Sequence, residues 1–141
     1  MRALVLSLTV ILPILAAGAA RAQDAGLANP EYRALHEAGT RLHPDVNRAV
    51  DAFASRQEKP TVELLAAYEA LLALGAKAAE AIGAADRALV GRIQRGLVQR
   101  GGEALAEARK GLDENDADKI RRGLNGMSNA WSIPLASHAP K

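Results

Sequence analysis

From Thr61 to Leu112 the chain runs without a proline and with few β-branched residues. A stretch so dominated by strong helix formers is expected to be helical throughout. Leu64, Tyr68, Leu71, Gly75, Ala78, Ile82, Ala85 and Leu89 alternate spacings of four and three, which winds one narrow packing seam along the helix. Past Leu89 the spacing becomes four and four through Ile93 and Leu97, so a strict heptad would drift off its partner. One helix over the whole stretch would be roughly 75 Å long at 1.5 Å per residue, so a break is expected. It is placed at Gly83, with Asp86 capping the next helix, and Gly101-Gly102 is the competing position. Gly75, Ala79 and Gly83 stand four apart and lack bulk, leaving room for a close neighbour.

The N-terminus has the three parts of a secretory signal. Arg2 supplies a basic start, the run from Ala3 to Ala20 an apolar core, and Ala20-Arg21-Ala22 a small-x-small cleavage site. Residues 1–22 are therefore expected to be a cleaved leader, 23–28 a linker, 29–133 one helical domain and 134–141 a flexible tail. The alanine- and arginine-rich character points to a bacterial periplasm, with membrane contact only during export through the leader.

The chain carries 18 basic and 16 acidic residues, and losing Arg2 and Arg21 leaves the two signs balanced. A near-neutral chain has no global field for nucleic acid or an anionic membrane. Cysteine is absent, which excludes disulfides, thiolate metal sites, cysteine nucleophiles and covalent c-type haem. Aromatic residues make up only 3% of the chain, so its core has to come from alanine, leucine, valine and isoleucine.

Boundary signals divide the domain further. Asn29-Pro30 is a cap followed by proline at the first helical position, and a stop is expected at His43 because the residue before Pro44 is pushed from helical geometry. Val46, Ala49, Val50 and Phe53 then continue at helical spacing, Thr61 caps the central stretch, Gly111 closes it, and Asp116 caps a last helix ended by Pro134. The expected fold is all-α, a small antiparallel bundle of about four helices over 30–55, 61–82, 86–111 and 116–131, the first interrupted near Pro44.

Reactive chemistry is sparse. The acidic turn from Asp113 to Asp118 fails as a calcium loop, since the glycine position holds Asp118 and the closing glutamate position Leu124. His36, His43 and His138 are the candidate metal ligands, although no H-x-x-x-H pair sets two imidazoles one turn apart. Non-covalent haem between a histidine and Met127 is a related possibility, but Met127 already fits an apolar stripe with Ile120, Leu124 and Trp131, and no cofactor is expected. No nucleophile elbow or phosphate loop is present, so catalysis is not expected. Arg92 and Arg95, on an arginine-rich face with Arg87 and Arg100, and the tail residues Trp131, Ile133 and Leu135 are the candidate partner contacts. The expectation is an exported, non-catalytic helical protein that acts by contact with a protein partner or with itself. The alternative is a metal or haem carrier centred on His36 and His43.

Overall fold

The computed structural model describes residues 29–132, and no strand occurs among them. Helix α1 spans Pro30–Arg56 and α2 Val62–Ile82. A 3-10 turn over Gly83–Asp86 leads to α3, Arg87–Gly91, then to a π-helical segment, Arg92–Gln99, and to α4, Arg100–Glu114. Helix α5 spans Ala117–Ser132. The all-α class holds. The described residues form three stretches of contiguous helical residues, 30–56, 62–114 and 117–132, where about four helices were expected; the second changes direction at the 3-10 turn.

The expected boundaries succeed where a side chain caps a free N–H. Asn29 Oδ1 accepts from the Glu31 and Tyr32 amides at 2.9 and 3.2 Å, and Thr61 Oγ1 accepts from Leu64 N at 3.1 Å. Asp116 Oδ1 likewise accepts from Asp118 N and Lys119 N.

Two expected stops are corrected. Helix α1 continues through Pro44. Both Pro44 and Thr40, whose carbonyl the proline leaves without its helical partner, are exposed residues. Burial of Leu35, Gly39, Val46 and Phe53 on both sides of the proline holds both halves against the core. At the other end, Gly111 does not close its helix, which continues to Glu114 and is ended by Asn115 at φ 52°. Asp116 N then donates to Gly111 O at 2.8 Å. Gly111 is a packing glycine: a Cβ there would lie 2.6 Å from Ile120 N.

The middle run turns back on itself at Gly83, where φ is 51° and ψ −130°, a conformation that L side chains avoid. Asp86 Oδ1 caps the return by accepting from Leu89 N at 3.0 Å. The break therefore falls at Gly83, and Gly101-Gly102 lies inside α4. Of the expected seam, Tyr68, Leu71, Gly75, Ala78, Ile82 and Leu89 are buried, while Ala85 is exposed on the turn. Gly75 packs against Leu97 and Val98, and Gly101 against Tyr68 and Leu72, so the two arms are antiparallel.

Helices α4 and α5 approach even more closely. A Cβ on Gly123 would stand 2.5 Å from Ala108 N, and one on Gly126 2.7 Å from Ala104 Cβ. The core joins Tyr32, Leu35, Val46 and Phe53 from α1 to Tyr68 and Leu71 from α2, Ile93 and Leu97 from the π segment, and Ile120, Leu124, Met127 and Trp131 from α5. Among the described residues no helix is long and apolar enough to cross a membrane.

Candidate functional site

A short relay of part-buried polar groups joins α1 to α5. His43 and Asn47 stand one turn apart on α1, and Ser128 faces them from α5. Ser128 Oγ donates to Asn47 Oδ1 at 2.6 Å, and Asn47 Nδ2 donates to His43 Nε2 at 3.1 Å. An amide nitrogen can only donate, so Nε2 accepts and the imidazole proton sits on Nδ1. That Nδ1 is buried and has no hydrogen-bond partner. Burial holds the His43 pKa below its ordinary value of 6.5. The order of the groups decides what the relay can do. An amide lies between hydroxyl and imidazole, so the histidine does not draw a proton from Ser128, and the arrangement fastens α1 to α5 without activating a nucleophile.

Beside His43 lies a void lined by Gly39, Val46, Tyr68, Leu71, Met127 and Trp131, with no room for a water molecule. His43 and Met127 thus border the same space, the pairing a haem would need, but the space admits no macrocycle. Met127 is fully buried as a core side chain, and its carbonyl accepts from Tyr68 Oη at 2.9 Å. Burial pushes the Tyr68 phenol well above its usual pKa, so it stays a neutral donor.

The other candidate ligand on α1, His36, is half-buried, with its ring centroid 6.3 Å from Tyr32 and 6.2 Å from Trp131. His138 lies outside the described residues. Among the described residues, no three histidine, cysteine, aspartate or glutamate side chains gather closely enough to hold a metal ion.

The candidate partner residues separate. Trp131, expected both on the apolar stripe of the last helix and among the partner contacts, is 5% exposed, its indole lying over Gly39 where no side chain intervenes. Ile133 and Leu135 lie outside the described residues. Arg92 is half-buried, close enough to Tyr32 that its charge opposes the rise in the phenol's pKa, a rise set mainly by burial and helped by Asp86. Arg95 is exposed and folds back over Gly91. Arg92 lies on the π-helical segment, while Arg87 and Arg100, like Arg95, are exposed.

The feature that the linear reading missed is the outer side of α2. Val62, Ala66, Ala67, Ala70, Ala73 and Ala76 are exposed there, and Val62, at 78%, is the one large apolar side chain left strongly exposed among the described residues. Only Glu63, Glu69, Lys77 and Glu80 are charged in this helix. Those four charges are exposed on this same side, interleaved with the alanines. On the α1 side the face runs into an open groove of about 680 Å³ lined by apolar residues such as Leu42, Ala49, Leu64 and Ala67 and by charged ones such as Asp45, Arg48, Asp51 and Lys59. A further 300 Å³ or so lies between Ala38, Leu42, Ala70, Leu71 and Leu74.

No protein-family model, curated protein or solved structure matches the chain.

Proposed function

We propose that this is an exported, periplasmic, non-catalytic protein that works by contact with a protein surface. Its helices are read as a small antiparallel bundle whose second helix turns outward. The observation that carries the reading is the outer face of α2 with its flanking groove, where Val62 and five alanines are exposed along one side of a helix that has few charges. The secretory pattern of residues 1–22 supports export, and processing before Gln23 is the corresponding expectation. The metal or haem reading has less support, since His36 and His43 are engaged with Trp131 and Asn47 respectively.

Photo-crosslinking from position 66 or 73, compared with exposed Arg121 on α5, tests the reading in cells that export the protein. Crosslinks to protein from α2 and not from α5 are the expected result. Equal, sparse labelling from both helices would remove the contact reading, and N-terminal sequencing of the same material reports whether the leader has been removed.

A further inference from the structure

We infer that the outer face of α2 pairs with the same face of a second copy of this chain, the two α2 helices running antiparallel about a two-fold axis at Ala70. The inference rests on the contact reading above and names the partner. Glu63, Ala66, Ala70, Ala73 and Lys77 alternate spacings of three and four, all are exposed, and they lie on the side of α2 away from Tyr68, Gly75 and Ile82. Small side chains let two helix backbones come close, but they do not choose an occupant. The charges do.

Glu63 and Lys77 each stand seven residues, two turns, from Ala70 in opposite directions. Antiparallel pairing about Ala70 therefore sets Glu63 against the partner's Lys77 and Lys77 against the partner's Glu63. In the same register Glu80 falls opposite the partner's Pro60, one residue from Lys59 in the turn before α2. Lys59 Nζ donates to Asn115 Oδ1 at 2.9 Å and keeps further donors for a carboxylate. The remaining charge, Glu69, is already held by Arg109 of its own chain, with Nη2 to Oε2 at 2.9 Å, so it reaches the axis compensated. Among the described residues Glu63, Lys77 and Glu80 make no ion pair within the chain. A surface that is complementary to itself in both shape and charge is what an isologous two-fold contact requires. Val62 closes each end of the seam, where it would cover the aliphatic stem of the partner's Lys77.

Sedimentation equilibrium of the purified protein at low salt, from micromolar to millimolar concentration, tests the pairing. A dimer is expected, with Lys77→Glu weakening association by about tenfold or more because each dimer loses two attractions and gains two repulsions. The double variant E63K/K77E restores the opposite-sign contacts and is expected to recover the dimer, while Ala70→Arg abolishes it. These positions are exposed, and circular dichroism confirms that each variant keeps its helix. A wild-type protein that is monomeric throughout overturns the second copy and leaves contact with a different protein intact. A dimer that is indifferent to K77E and A70R overturns this face and leaves self-contact intact. Failure of E63K/K77E to recover what K77E loses overturns the register.

Discussion

The indole of Trp131 occupies the space that a side chain on Gly39 would fill: a Cβ built there lies 2.1 to 2.4 Å from three ring carbons. Gly39→Ala gains helix propensity worth up to about 1 kcal/mol but forces the ring out of a packed site, and overpacking of this kind costs about 1–3 kcal/mol. The net expectation is a loss of stability with a red shift in fluorescence, since Trp131 is the only tryptophan. Unchanged emission together with an unchanged melting temperature would show that the ring does not rest on Gly39.

Pro44 stands inside an unbroken helix, where it removes one hydrogen bond to the Thr40 carbonyl. Pro44→Ala is expected to stabilise the protein by about 1–3 kcal/mol and to leave the helical signal equal or slightly higher. A destabilised P44A would mean that the proline bends α1 in a way the packing needs.

Tyr68 crosses the core to donate to the Met127 carbonyl, and its ring is 1% exposed. Tyr68→Phe keeps the packing volume and deletes the bond, leaving a stability loss of about 1 kcal/mol, far below the cost of Tyr68→Ala. Denaturant melts of the two variants separate the hydroxyl's contribution from the ring's.

Acid should weaken the fold through His43. Burial lowers its folded pKa beneath the ordinary 6.5. Between those two values the unfolded chain binds the additional proton, so stability is fully present above about pH 6.5 and is lost as pH falls through the folded value. The side chains from other helices that line the void beside His43 are Tyr68, Leu71, Met127 and Trp131, none of which carries a charge to offset a buried imidazolium. Urea melts at stepped pH should show this slope in the wild type and a smaller one in His43→Gln. Equal slopes would place the acid sensitivity elsewhere.

The relation between sequence and structure differs from one element to the next. Asn29, Thr61, Asp86 and Asp116 were legible as helix starts because a cap is a local bargain between one side chain and an amide two or three residues on. Gly83 was legible as the turn for a similar reason, though Gly101 and Gly111 look the same in the sequence and do something else. They are packing glycines, and what meets them comes from Tyr68 and Ile120, far along the chain or across a turn. Pro44 misled for the complementary reason: its local preference to end a helix was outweighed by burial of residues on either side of it.

The candidate sites divide along the same line. Absence of cysteine, the all-α class and the positions of the caps follow from composition and short spacings, which depend on neighbours a few residues apart. Tertiary structure decided that Trp131 belongs to the core, that Asn47 links His43 to Ser128, and that Arg92 is half-buried on a π segment. It also decided which side of the apolar α2 is left uncovered. Each of these depends on which helix lies against which, and such contacts join residues dozens of positions apart through packing that no local pattern specifies.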